Sequence, residues 1–236
     1  MGYIEKKNRK RYLIIAFIIL MFHGFFGDGL LYDRGSADET AVNGLVNMGL
    51  GEVPQWHFML SFFIGIPAAA GYWLGTRCVW SYAQDRLNGK KSNMLSIYKA
   101  STAVMSLLIF GQHTICTMGL MLLQAAVKSG VSTEDISSSF ALPYLVPFAL
   151  GTTVQTVCNA LECVSFVTFI CKKTIPVSKI WLILSPGILY VIGMVILGIN
   201  SATIDSKLIG MICTSAESWA FGFSYLCVYT AEKKEG

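Results

Sequence analysis

Six long apolar segments divide the chain and constrain its fold more than any other feature. They run roughly over residues 12–32, 57–79, 98–127, 142–171, 180–199 and 208–229. Each is close to the ~20 apolar residues of a helix that crosses a bilayer. Because hydrocarbon cannot hydrogen-bond a bare backbone, unbroken runs of this length form helices rather than the short alternating strands of an outer-membrane barrel. We therefore predict an all-α protein, a single transmembrane domain of six helices over residues 1–236.

The composition excludes an ordinary water-soluble domain. Only 14% of the residues are charged, whereas a soluble domain carries roughly 25% because its surface faces water. Disorder is excluded as well, because 54% of the residues are hydrophobic. The sequence contains no glycine-rich nucleotide-binding motif and no nucleophile elbow. Nothing in it indicates nucleic acid as a partner.

The distribution of basic residues predicts the orientation in the membrane. Cytoplasmic loops are enriched in Lys and Arg, and 15 of the 18 basic residues fall on one side of the predicted segments. Both termini are therefore expected in the cytoplasm, with residues 1–11 as a basic N-terminus and 230–236 as a tail. The predicted location is the plasma membrane, and the sequence leaves a homo-oligomer open. The three basic residues on the other side are Arg34, Lys128 and Lys207.

The longest loop, residues 33–56, is predicted to be external. Its apolar residues recur near helical spacing, which predicts a short amphipathic helix on the outer surface or over the end of the bundle. Gly44, Gly49 and Gly51 argue against a stable helix. A lid and a plain connector are both compatible with this loop. The apolar residues are Val42, Leu45, Val46, Leu50 and Val53.

Several polar side chains fall inside the apolar segments, where a charged group costs about 2.5–3.5 kcal/mol on insertion scales. Asp28, Glu162 and Glu217 lie there with no Lys or Arg at comparable depth. These acids must be protonated, paired with histidine, exposed to water or neutralised by a bound cation. The predicted ligand- or proton-binding residues are His23, Asp28, Gln112, His113, Gln155, Asn159, Glu162 and Glu217.

Helical spacing places some of these residues together and separates others. Gln155, Asn159 and Glu162 recur at steps of three and four, so they share one face of the fourth helix. His23 and Asp28 are five residues apart and point about 140° apart on a regular α-helix. They can face one partner only if the glycines between them distort the helix.

The sequence supports three functions. The first is a transporter-like protein whose intramembrane cavity binds a cationic or protonatable small ligand, or relays protons. The second is a metal-dependent membrane enzyme acting on a lipid or another membrane-soluble substrate, with Zn or Fe held by His23, His57, His113 and Asp28, although no local metal-ligand motif is present. The third is a non-catalytic scaffold, in which polar groups only join helices through hydrogen bonds.

The stretch Gly-Asp-Gly-Leu-Leu-Tyr over residues 27–32 ends the first predicted helix. It resembles a motif in a family of small polytopic bacterial membrane proteins whose function is unknown, and the resemblance covers the first three segments. It implies a polytopic helical fold and no particular activity. It favours a role for Asp28.

Overall fold

The computed structural model describes residues 2–33, 35, 39–42, 46–200 and 207–234, and the chain is 83% helical. The all-α prediction is confirmed. Eight α-helices are described: α1 Lys6–His23, α2 Gly29–Leu31, α3 Gln55–Arg86, α4 Asn93–Lys128, α5 Thr133–Cys171, α6 Pro186–Ile199, α7 Lys207–Thr214 and α8 Ala216–Lys234.

Among the described residues, four helices are long and apolar enough to cross a membrane, and they match the first four predicted segments. The first joins α1 and α2 through a π-helical segment, Gly24–Asp28, and has 26 residues. At about 1.5 Å per residue it is ~39 Å long, against a hydrocarbon thickness of ~30 Å. The four spans are Lys6–Leu31, Gln55–Arg86, Asn93–Lys128 and Pro143–Cys171.

The last two predicted segments are helical but interrupted. The fifth consists of a 3₁₀ turn, Lys179–Leu182, followed by α6, whose 14 residues extend only about 21 Å. α6 begins at Pro186, directly after Ser185, since proline suits the first helical position. The sixth segment is divided at Ser215 into α7 and α8. Six crossings therefore stay a prediction.

Six helices pack in a closed ring. The order of contacts is α1, α3, α4, α5, α6, α8 and back to α1, with α7 against α6 and the end of the first helix. Large apolar side chains also point outward, and Leu107 is 79% exposed. Such extensive exposed apolar surface is unfavourable in water and suits a lipid environment. Other outward-facing residues include Leu150, Val164, Val191 and Leu208.

The loop between α2 and α3 folds over the bundle. Its described residues do not form the predicted amphipathic helix, and that prediction is wrong. Strands β1, Thr40–Ala41, and β2, Val46–Asn47, pair antiparallel and lead into a 3₁₀ turn, Met48–Glu52. The Asn47 side chain accepts a hydrogen bond of 2.7 Å from Gly49 N, a local bond that competes with helix formation. Residues 39–42 and 46–53 are here termed the cap; Arg34, Asp38, Gly44 and Leu45 lie outside the described residues.

Apolar contacts and hydrogen bonds hold the cap in place, including one of 2.8 Å from Val42 N to Ser137 Oγ of α5. Its buried residues pack against Leu123 of α4 and Ile136 of α5. Gln124 Nε2 donates to two carbonyl oxygens of the cap, at 3.0 and 2.6 Å. The loop is therefore a packed cover rather than a plain connector. Its buried residues are Ala41, Val42, Val46, Leu50 and Val53.

A buried arginine joins three parts of the chain at the opposite end. Arg9 Nη2 donates to Asp85 Oδ2 at 2.6 Å and Nη1 lies 3.5 Å from Glu232 Oε1, which connects α1 with α3 and α8. Tyr3 donates to the other oxygen of Asp85, and this hydrogen bond raises the pKa of Tyr3. Burial raises the pKa of the Glu232 carboxyl, although Arg9 acts in the opposite direction.

Candidate functional site

A cavity of about 820 Å³ lies inside the ring beneath the cap. Most of its lining is apolar, including Phe148 and Phe221, and Val42 and Val46 of the cap contribute to it. The groups with a full charge in the described lining are carboxylates. The lining contains the carboxylates of Asp28 and Glu217 and the imidazoles of His23 and His113, but no Lys or Arg from the described residues.

The π-helical segment turns His23 and Asp28 toward each other. Gly29 N bonds to Gly24 O, five residues back, so each turn is wider than in an α-helix and residues five apart come to one face. His23 Nδ1 lies 3.4 Å from Asp28 Oδ2. From the sequence, His23 and Asp28 could face one partner only if the glycines between them distorted the helix. The π-helical segment is such a distortion.

Ser218 of α8 bridges this pair. Its hydroxyl donates to Asp28 Oδ2 at 2.7 Å and lies 2.9 Å from His23 Nδ1. Because the hydroxyl hydrogen points to the carboxylate, its oxygen accepts the Nδ1–H of His23. His23 Nε2 is then the nitrogen with the lone pair, and it is buried without a hydrogen-bond partner in the described chain.

His113 of α4 approaches Asp28 from the other side. Its Nε2 lies 2.8 Å from the carbonyl oxygen of Ser61, which can only accept, so Nε2 carries the hydrogen. Its Nδ1 lies 3.8 Å from Asp28 Oδ1. The Ser61 hydroxyl in turn donates to Gly27 O at 2.8 Å, which joins α3 to the π-helical segment.

His23, Asp28 and His113 are termed the His–Asp cluster. One nitrogen of each ring and one carboxylate oxygen all lie within 4.8 Å of one another. Two glycines make space for the rings: a methyl group at Gly27 would lie 2.7 Å from His23 Nε2, and one at Gly65 would lie 2.8 Å from His113 Nε2. Both distances are far below ordinary contact, so larger residues would displace the rings.

Glu217 forms a second polar group in the cavity. Gln155 Nε2 donates to its Oε2 at 2.6 Å and Asn159 Nδ2 donates to its Oε1 at 2.7 Å. Gln112 lies elsewhere in the lining and donates to Phe148 O and Thr152 Oγ1 at 3.1 and 3.0 Å. Glu217 is thus held by two amides of α5, and no ion pair with a described basic residue offsets its charge.

Glu162 lies outside the cavity lining and is fully buried. It accepts a hydrogen bond of 2.6 Å from Tyr72 OH, and Tyr72 itself lines the cavity. Its other oxygen, Oε2, has no hydrogen-bond partner among the described groups. Glu162 is therefore one side chain removed from the cavity.

The structure does not bring His57 into the His–Asp cluster. His57 Nδ1 lies 3.3 Å from Asp33 Oδ2, and its ring packs edge-on against Trp56. The sequence suggested His57 as a fourth metal ligand, but its position at the start of α3 pairs it with the loop that follows α2. Three of the four suggested ligands meet.

Three partners of the site were not selected from the sequence. Ser218, Ser61 and Tyr72 orient His23, His113 and Glu162 through contacts between helices. Serine and tyrosine are common in membrane helices, and their spacing carries no signal for contacts made across the bundle. The glycines beside the histidines were a usable signal, since small residues mark close approach in membrane helices.

Fold and site define a class: a helical membrane protein with a capped internal cavity that holds histidine and carboxylate groups. The sequence matches the family of unknown function DUF6796 over residues 4–233. The chain belongs to that family, in agreement with the resemblance of residues 27–32 to a family of unknown function. Neither the curated proteins nor the solved structures include a match to it.

Proposed function

We propose that this protein binds an amphiphilic ligand with a cationic or protonatable group in its internal cavity, and that it moves such ligands across or within the membrane. The observation that carries the proposal is the lining: two carboxylates, Asp28 and Glu217, and no described Lys or Arg. A positive ligand group would supply the charge that the cavity lacks.

Glu217 is the proposed contact for the cationic group. Both of its oxygens accept hydrogen bonds from amides, an arrangement that suits an ionised carboxylate. An ionised group inside a protein is costly without a counter-charge. A bound ammonium or similar cation would complete the site, whereas an anion would add a second uncompensated charge.

The remaining surface of the cavity suits an apolar body. Leucine, phenylalanine and tyrosine side chains supply much of the wall around the polar groups. Pockets of about 300–1,000 Å³ with apolar walls and few polar groups are typical of small-molecule sites. Since the outer surface of the ring is apolar as well, we infer that the ligand partitions into the bilayer before it binds.

We propose six membrane crossings in the plasma membrane with both termini cytoplasmic. The 15 basic residues on one side favour this orientation. Ser215 N still bonds to Met211 O at 3.3 Å and Trp219 N to Ser215 O at 3.2 Å, so α7 and α8 are close to one continuous helix. Reporter fusions after residues 91, 130, 200 and 234 test this: the first and last should report cytoplasm and the middle two the exterior. A cytoplasmic report at residue 200 would mean that the last two segments do not cross.

Binding of tetraphenylphosphonium, an apolar monocation, tests the function. In purified protein in nanodiscs, wild type should bind it saturably, and Glu217→Gln should lower the affinity at least about tenfold, equivalent to ~1.4 kcal/mol. Glu134→Gln is the matched control, because Glu134 is exposed near the start of α5. Equal binding by all three proteins contradicts the proposal. Uptake into proteoliposomes then distinguishes transport from binding alone.

A further inference from the structure

We infer that the His–Asp cluster is a binding site for a divalent transition-metal ion, with His23, His113 and Asp28 as its protein ligands. The inference goes beyond the proposed function, because Glu217 is the proposed contact for the cationic ligand and the two sites share only the charge of Asp28. Two imidazoles and one carboxylate are ligands that Zn²⁺ and Fe²⁺ accept.

The hydrogen bonds around the rings leave one nitrogen of each free for a metal. His113 donates through Nε2 to the Ser61 carbonyl, and His23 donates through Nδ1 to Ser218. Metal-bound histidines usually donate their second nitrogen in this way, to a carbonyl or another oxygen, which fixes the ring and its tautomer. The free atoms are His113 Nδ1 and His23 Nε2, and the latter is buried without a partner.

The distances are close to those of a metal site. Ligands ~2.0–2.1 Å from zinc at tetrahedral angles lie about 3.4 Å apart. Asp28 Oδ1 lies 3.8 Å from His113 Nδ1, the free nitrogen of that ring. The 3.4 Å contact of Asp28 Oδ2 is to His23 Nδ1, the nitrogen that donates to Ser218. One nitrogen of each ring and one carboxylate oxygen fall within 4.8 Å, so a turn of the His23 side chain that brings Nε2 toward Asp28 would complete the coordination.

Charge and access also suit a metal ion. The cluster lines the cavity, so a fourth position is open to water or to an oxygen of a cavity ligand. Three protein ligands and an open position are typical of catalytic rather than structural zinc sites. A dication would balance the charges of Asp28 and Glu217 together, the two carboxylates of the lining.

The π-helical segment gives an independent reason to place a site here. Such segments are rare within α-helices and occur frequently at functional sites. This one brings together two potential ligands that a regular helix would hold about 140° apart. Ser61 and Ser215 secure it through the carbonyls of Gly27 and Gly24.

Metal binding to the full-length protein tests the inference. Protein stripped with chelator, then titrated with Zn²⁺ or Fe²⁺ alone, should take up one ion per chain, measured by calorimetry and elemental analysis. His113→Gln and Asp28→Asn should reduce the affinity more than Ser218→Ala, for which a loss of about 10–100-fold is expected. His57→Gln is the matched control and should bind as wild type does.

Failure of stoichiometric binding in folded wild-type protein overturns the inference without the use of any variant. So does an equal loss in His57→Gln and His113→Gln. The proposed function is tested separately, because tetraphenylphosphonium binding is measured in metal-free protein and Glu217→Gln should retain the metal. Metal binding without cation binding, or the reverse, therefore shows which of the two ideas is wrong.

Discussion

Replacement of Gly65 by alanine tests whether close helix packing positions the His–Asp cluster. Gly65 lies on α3 one turn after Ser61, whose carbonyl oxygen accepts the Nε2–H of His113. The added methyl group would lie 2.8 Å from His113 Nε2 and closer still to Cδ2. The imidazole must therefore move away from α3, which breaks its hydrogen bond and withdraws Nδ1 from its position near Asp28.

Two opposing terms set the size of the effect. Alanine is favoured over glycine in a helix by up to about 1 kcal/mol, whereas overpacking a buried site costs about 1–3 kcal/mol. Gly111→Ala shows the first term alone, so the difference between the two variants isolates the second. Gly111 lies on α4, two residues before His113, and a methyl group there would meet nothing within 4 Å. Since helix propensity acts alike in both variants, their stabilities should differ by about 1–3 kcal/mol.

Thermal unfolding of the two variants in nanodiscs measures this difference. At about 2–4 °C per kcal/mol for a chain of this size, Gly65→Ala should unfold several degrees below Gly111→Ala. Zn²⁺ affinity should fall in Gly65→Ala and stay unchanged in Gly111→Ala. Equal midpoints and equal affinities would refute the reasoning, since they would mean that the ring has free space beside α3.

Three further predictions concern other parts of the molecule. Tyr72→Phe removes the hydrogen bond to Glu162 and should lower the free energy of unfolding by about 1–3 kcal/mol. If adding Glu162→Gln to this variant lowered the free energy of unfolding further, the hydrogen bond would not be the cause of the loss. Burial raises the pKa of Glu232 in the folded protein. The stability that the protonated carboxyl contributes should therefore be complete at pH values below the ordinary glutamate pKa of about 4.3, and it should be lost as the pH rises through the raised pKa. Glu232→Gln should abolish that part of the pH dependence in thermal unfolding, and identical profiles would contradict it. Saturating Zn²⁺ should weaken tetraphenylphosphonium binding to wild type by adding positive charge to the cavity, while binding to His113→Gln should be insensitive to zinc.

The hydropathy pattern predicted four of the apolar helices well, because each contains an apolar run long enough to cross the hydrocarbon core. It could not reveal the interruptions near Ser185 and Ser215, since the first comes from Pro186 at the start of α6 and the second accompanies packing against Gly24, and neither changes polarity. The loop before α3 shows a related failure. The spacing of its valines and leucines imitates a helix, but Asn47 and the nearby glycines favour a turn, and the same apolar residues are buried in the cap.

The candidate site could be predicted in its parts but not in its assembly. The cost of placing acids and histidines in apolar segments identified the residues, and the pattern of α5 placed Gln155 and Asn159 on one face, where both now contact Glu217. The relation of His23 to Asp28 depended on a π-helical segment that no regular period describes. Which helix faces which, and therefore the separation of His57 from His113, is set by tertiary packing.

A comparison of two ions of nearly equal size and opposite charge tests the central claim most directly. Tetraphenylphosphonium and tetraphenylborate both partition into membranes, so a difference in saturable binding to purified protein reports the charge preference of the cavity. Because Asp28 and Glu217 line the cavity with no described Lys or Arg beside them, wild type should bind the cation at least about tenfold more tightly, or ~1.4 kcal/mol, and Glu217→Gln should reduce this preference. Equal affinity for the two ions, or preference for the borate, would contradict the account.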